Sequence, residues 1–256
     1  MQLIGLTSVT FRNLSCAEVI ASCKKAGLKC IEWGSDVHVP PDDTTNAEAV
    51  RRATQEAGLY VSSYGSYYWL GTEGQDPACF RAYAEAALAL GAPLIRVWAG
   101  HTSFDRTARE AYEKLIEETR FLCDMASEYG LTVAFEYHDH TLNDTGEHAL
   151  ILVRDVAQEN FGVYFQYDSS VTIEENIWSL RLMLPYVKMI HVAYNDEAHN
   201  PFFLDEGRGE ELWHGVIREV KNAGCGADFL FEFLKEQSEE GLMRQTGVMK
   251  RLMEEN

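Results

Sequence analysis

LTVAFEYHDHTLND, residues 131–144, contains the change of character that decides how this chain folds. Leu131, Val133, Ala134 and Phe135 read as a short strand, apolar on both faces and therefore covered on both. Glu136 stands at its C-terminal end, and Tyr137, His138, Asp139 and His140 crowd the loop behind it. Gathering so many ionisable groups is costly unless a cation or a polar ligand shares the space. The same event recurs downstream. FGVYFQYD (161–168) ends on Asp168, VKMIH (187–191) on His191 and DFLFE (228–232) on Glu232. Four successive strands that each deliver a metal-ligand side chain from the same end require a fold in which all strand ends meet.

A repeated unit extends this pattern over the whole chain. A helical stretch, a glycine break and a short apolar strand follow one another in KKAGLKCIEWG (24–34), QEAGLYVSSYG (55–65), LALGAPLIRVWAG (88–100), SEYGLTVAFEY (127–137), QENFGVYFQYD (158–168) and KNAGCGADFLFEF (221–233). In each, the glycine fits the left-handed position that ends a helix. The pattern predicts strands over 2–7, 29–33, 60–64, 94–98, 132–136, 162–168, 188–192 and 229–233. Helices are predicted over 15–26, 45–57, 76–90, 107–129, 147–159, 174–184, 210–222 and 238–254. Eight strands alternating with eight helices define an α/β protein of the (β/α)8 TIM barrel type, one domain spanning residues 1–256. An open doubly wound sheet is disfavoured, because LTSVTF (6–11) stands where a Gly-x-Gly-x-x-Gly turn would follow the first strand. In a barrel the working face lies at the C-terminal strand ends. The long loops GSDVHVPPDD (34–43), GSYYWLGTEG (65–74), AGHTSFD (99–105) and YNDEAHNPFFLDEG (194–207) all fall on that side.

Composition excludes several classes of partner. A net charge of −18, with only 22 Lys and Arg, repels nucleic-acid backbones and anionic membranes. No stretch approaches the roughly 20 apolar residues of a membrane span, and Met1 to Gly5 lacks the basic start of a signal peptide. A cytoplasmic location is expected. The six cysteines form no CxxC pair. Cys16 and Cys23 lie two helical turns apart, roughly 10 Å and too far to be bridged, so all six are expected as small apolar residues in a reducing compartment.

Glu136, Asp168, His191 and Glu232 come from the last four strands and would meet around half of the barrel mouth. Three carboxylates and an imidazole form an oxygen-rich donor set, suited to one divalent metal ion. Mn²⁺ or Mg²⁺ is favoured, and Co²⁺ or Zn²⁺ could also bind. Without a cation, three adjacent carboxylates would raise one another's pKa.

Taken together, CIEWGSDVHV (30–39), VAFEYHDHTLND (133–144), QYDSS (166–170), KMIHV (188–192), LDEG (204–207) and FLFEF (229–233) resemble the xylose-isomerase-like barrel superfamily, its sugar-phosphate isomerase/epimerase group in particular. The resemblance runs along essentially the whole chain. It implies that Glu136, Asp168, His191 and Glu232 hold the metal, that Glu136 and Glu232 are the catalytic acid/base pair, and that the substrate is a small sugar or keto-sugar. His38 is then expected at a sugar hydroxyl, His138 beside Glu136 as its orienting group, and Trp69 and Trp98, with Tyr64, as apolar faces for a sugar ring. Arg96, inside the fourth strand, is expected to pair with a barrel carboxylate. His101 and His199 are expected as exposed loop residues.

The implied reaction is proton transfer at the carbon beside a carbonyl, through a metal-stabilised enediolate. One alternative is a lyase related to inosose dehydratases, in which the enediolate expels a leaving group. Another is a barrel that binds a sugar or a partner protein without catalysis. A homo-oligomer is compatible with the sequence. The chain departs from its relatives where Ser169, Ser170 and Val171 follow Asp168 in place of an Asp-x-x-His sequence, and where Glu197 stands in place of an arginine. Trp98 and Val171 also occupy positions where DNA-repair members of the superfamily carry zinc-binding histidines, which argues against phosphodiester cleavage.

Overall fold

The computed structural model of the chain describes residues 2–196, 198 and 200–256. Glu197 and His199 lie outside the described residues. Eight parallel strands close into one barrel in sequence order: β1 (Ile4–Thr7), β2 (Cys30–Gly34), β3 (Tyr60–Trp69), β4 (Leu94–Trp98), β5 (Thr132–Phe135), β6 (Phe161–Gln166), β7 (Val187–Val192) and β8 (Asp228–Phe231). Closure is made by β8 pairing with β1, with Gly5 opposite Leu230. Eight helices form the outer layer: α1 (Cys16–Ala26), α2 (Thr44–Glu56), α3 (Phe80–Leu90), α4 (Arg109–Ser127), α5 (Gly146–Val156), α6 (Ile173–Met183), α7 (Gly209–Asn222) and α8 (Glu239–Glu255). The (β/α)8 expectation is met, with most element ends within a few residues of their predicted positions.

Local chemistry explains where the elements begin and end. Ser15 and Glu18 form a reciprocal capping box at the start of α1, and Thr172 with Glu175 does the same for α6. Gly27 and Gly91 close α1 and α3 in the left-handed conformation, at φ 72° and 74°. The predicted role of Gly162 is corrected. It lies inside β6, and Ala157 takes the left-handed position after α5, at φ 53°. A Cβ at Gly162 would lie 2.7 Å from the Tyr186 carbonyl oxygen, so the missing side chain serves close packing of the chain. A second correction concerns β3, which was expected to end at Tyr64. It runs on to Trp69, because after an irregularity Trp69 pairs with Trp98 of β4 and stacks on it.

Most of the apolar core lies between the barrel and its helices. A separate, smaller plug fills the barrel interior: Cys30, Leu94, Ala134, Tyr164, Met189 and Leu230, one residue from each of six strands. Side chains on a strand return to the same face every second residue. The next inward positions on those strands are therefore Glu32, Arg96, Glu136, Gln166, His191 and Glu232. A plane of polar and charged groups thus sits one pleat above the apolar plug. The six cysteines are free thiols, and no helix is long and apolar enough to cross a membrane among the described residues.

Candidate metal and acid/base site

Glu136, His191 and Glu232 are buried, and each places one ligand atom so that all three atoms lie within 4.8 Å of one another. The ladder continues past the formal strand ends to hold them: Glu136 N–H donates to the Val97 carbonyl and Glu232 N–H to the Val192 carbonyl, each at 3.1 Å. Buried Asn143 secures the first turn after β5, its Nδ2 donating to the carbonyls of Glu136 (2.9 Å) and Phe135 (3.3 Å). His191 Nδ1 lies 3.5 Å from Glu136 Oε1 and 3.3 Å from Glu232 Oε2. Its Nε2 faces the other way, 3.5 Å from Glu32 Oε1. None of these contacts has hydrogen-bond geometry, so both ring nitrogens are buried without a hydrogen-bond partner.

Arg96 is the fixed cation of the centre. Fully buried, it donates through Nη1 to Glu136 and sets Nε 3.7 Å from Glu32 Oε1. The expectation that Arg96 pairs with a barrel carboxylate is met twice over. β3 makes room for it with Gly65, where a Cβ would lie 2.9 Å from Glu32 Oε1 and 3.0 Å from Arg96 Nη2. Glu32 also accepts hydrogen bonds from Ser63 Oγ (2.7 Å) and Tyr164 OH (2.8 Å). Burial raises its pKa, but Arg96 and His191 outweigh burial and hold it at about 2. Burial likewise opposes ionisation of Glu136, and Arg96 and His191 again prevail, leaving its pKa below the usual value. In the metal-free centre His191 loses by burial and gains more from Glu232 and Glu136, so its pKa stands well above the usual histidine range.

This arrangement fits a divalent cation. Three carboxylates against one guanidinium leave two negative charges, which one divalent ion cancels while His191 stays neutral. His191 Nδ1 has no hydrogen-bond partner and lies against both Glu136 and Glu232, where the neutral imidazole would offer its lone pair to a cation.

Other expected site residues are placed differently. Asp168 is not brought into the set. β6 ends at Gln166, and Asp168 Oδ1 accepts from Ser170 N (2.8 Å) and Oγ (2.7 Å), while its backbone is clasped by Asn176 of α6. It is a turn residue. His138 does not orient Glu136, because its Nδ1 lies 2.6 Å from Asp139 Oδ1; Arg96 has the orienting role. His38 Nε2 bonds the Leu14 carbonyl at 3.0 Å and the ring meets Trp33 edge-on, with no contact to the carboxylate cluster among the described residues. Trp69 and Trp98 are at the rim but have little free face to offer. Trp69 stacks on Trp98 (4.4 Å, 10°) and on His101 (4.7 Å, 7°), and Trp98 also meets His138 at 4.9 Å. What Trp98 presents is its buried, unpartnered indole N–H. Tyr64 is tied to the Val39 carbonyl.

Glu32 was missed, although CIEWG carries the same signal as FLFE, a carboxylate closing an apolar run. A crevice of about 560 Å³ opens between the loops after β6 and β7, lined by Tyr167, Ser169, Tyr194, Asn195 and Phe202 among others.

Solved structures share this architecture. The probable 3-DHS dehydratase AsbF of Bacillus anthracis matches with a TM-score of 0.82 at 16% identity, over 98% of this chain and 99% of its own. A D-allulose 3-epimerase of Methylomonas sp. matches with a TM-score of 0.76 at 15% identity, over 98% of each chain. A xylose isomerase-like TIM barrel protein of Mycobacterium smegmatis, solved in complex with magnesium, matches with a TM-score of 0.74 at 16% identity, over 99% of this chain and 97% of its own. At these identities the likeness is one of fold. No curated protein matches the chain in sequence. The sequence model of the xylose isomerase-like TIM barrel family matches residues 20–252, and the chain belongs to that family.

Proposed function

We propose that the chain is a metal-dependent enzyme that moves a proton at the carbon beside the carbonyl of a small sugar or keto-sugar. The observation that carries this proposal is the pair of buried carboxylates, Glu136 and Glu232, converging with His191 within 4.8 Å at the working end of the barrel. Glu136, His191 and Glu232 would hold the cation, which would supply a Lewis acid for the carbonyl oxygen and acidify the adjoining C–H. Arg96 keeps Glu136 ionised and fixed, in the form that accepts a proton. Glu232, which shares the Nδ1 edge of His191 with Glu136, would return a proton as the second carboxylate of the pair. Return to the opposite face of the same carbon gives epimerisation, and return to the neighbouring carbon gives aldose–ketose isomerisation. Tyr164 and Ser63 hold Glu32, which with Glu136 flanks the Arg96 guanidinium in the same plane.

Dehydration is the second possibility, favoured by the dehydratase among the structures of like fold. The same abstraction then ends in loss of a β-hydroxyl. Incubating the Mn²⁺-loaded protein in heavy water with ketoses, keto-sugars and inososes separates the outcomes by NMR. Deuterium at carbon without loss of water is expected. A dehydrated product would select the lyase, and no exchange with any of these compounds would overturn the proposal.

A further inference from the structure

Strand β6 lies between β5, which carries Glu136, and β7, which carries His191, yet Asp168 at its far end is held in a turn. The interior itself shows what β6 contributes instead. On β2, β4, β5, β7 and β8, the residue two positions beyond the apolar plug enters the charged plane: Glu32, Arg96, Glu136, His191 and Glu232. The plug residue of β6 is Tyr164, whose hydroxyl bonds Glu32 and whose ring meets His191 edge-on at 4.9 Å. Two residues on stands Gln166. It pairs in register with His191, as Tyr164 pairs with Met189 beneath them, so its side chain leaves the strand on the same face as the imidazole. Its carboxamide makes no side-chain hydrogen bond among the described residues. On that face the register sets it beside His191, whose ring nitrogens have no hydrogen-bond partner and which converges with Glu136 and Glu232.

Building on the metal-dependent function proposed above, we infer that Gln166, and not Asp168, is the donor that β6 gives to the cation, through its Oε1 oxygen. Charge agrees with geometry. Glu32, Glu136 and Glu232 against Arg96 already balance one divalent ion. A fourth carboxylate would leave an excess negative charge in a buried centre, whereas a carboxamide adds an oxygen ligand without charge. The donor set is then two carboxylates, one imidazole and one amide oxygen, with positions left for substrate oxygens.

Calorimetric titration of the folded, metal-stripped protein with MnCl₂ tests this without any assay of turnover. Gln166→Met keeps the side-chain volume and removes the donor oxygen; Gln166→Ala is the second variant, and circular dichroism verifies the fold of each. Both are expected to weaken Mn²⁺ binding about tenfold or more, while Asp168→Ala binds within twofold of wild type. Wild-type affinity in both Gln166 variants, or a loss confined to Asp168→Ala, overturns the assignment while leaving the metal site standing. A wild-type chain that binds no Mn²⁺ overturns the metal-dependent function and this assignment together.

Discussion

The barrel interior holds two planes that differ by one step of the pleat. The lower is Cys30, Leu94, Ala134, Tyr164, Met189 and Leu230; the upper is Glu32, Arg96, Glu136, Gln166, His191 and Glu232. The same six strands build both, so backbone geometry does not explain the difference in character. The lower plane faces only other side chains and is closed by apolar packing. The upper plane carries buried charge that Arg96 compensates only in part, an arrangement that destabilises an empty protein and suits one that binds a cation. Stability and chemistry are thus separated along each strand by two residues, and substitutions in the two planes are expected to fail in different ways.

The largest effect is expected from Glu232→Gln. It keeps the shape of the upper plane and removes a proton carrier, so turnover should fall by about 10²–10⁴-fold with the melting temperature nearly unchanged. Steady-state kinetics beside thermal melting checks this, and unchanged kcat would remove Glu232 from the acid/base pair. Arg96→Met leaves Glu32 and Glu136 as buried carboxylates without their guanidinium. A loss of about 3–5 kcal/mol is expected in denaturant unfolding of the metal-free protein. Leu230→Ala, two residues below Glu232, opens a cavity in the plug. It should cost about 2–5 kcal/mol while the folded fraction retains its kcat, and a variant that lost turnover without losing stability would dissolve the division between the planes.

The smallest effect is in the pH profile of the metal-free protein. The folded pKa of His191 is raised above its usual 6.5, so its stabilising contribution is complete below that value and is lost as pH climbs through the folded pKa. Glu32, depressed to about 2 from a usual 4.5, contributes above 4.5 and loses that contribution as pH falls toward 2. Melting temperature measured with a chelator should therefore decline on both sides of the interval between about pH 4.5 and 6.5. With Mn²⁺ bound, His191 is neutral, and the alkaline decline should vanish.

The parts of the fold legible in the sequence were those set by local periodicity: apolar runs, glycine and Ser/Thr caps, and the carboxylate or imidazole closing a run. Glu136, His191 and Glu232 follow that rule and converge. Asp168 obeys it in sequence but not in space, because β6 ends two residues earlier and Ser170 captures the carboxylate in a turn. Glu32 closes an apolar run in the same way and was passed over, whereas Gln166 became visible only through inward parity and its register with His191. Trp69 and Trp98 stack on each other, a tertiary property that covers faces expected from the sequence to meet a sugar. His38 gives Nε2 to the Leu14 carbonyl and keeps a buried, unpartnered Nδ1, while His138 turns Nδ1 to Asp139.

The central claim is that the upper plane is a cation site. Anomalous diffraction from crystals grown with Mn²⁺ tests it most directly. A single strong peak is expected between Glu136 Oε1, His191 Nδ1 and Glu232 Oε2, with Gln166 turned toward it. A protein saturated with Mn²⁺ that shows no peak there, or shows one only at surface carboxylates, would contradict it.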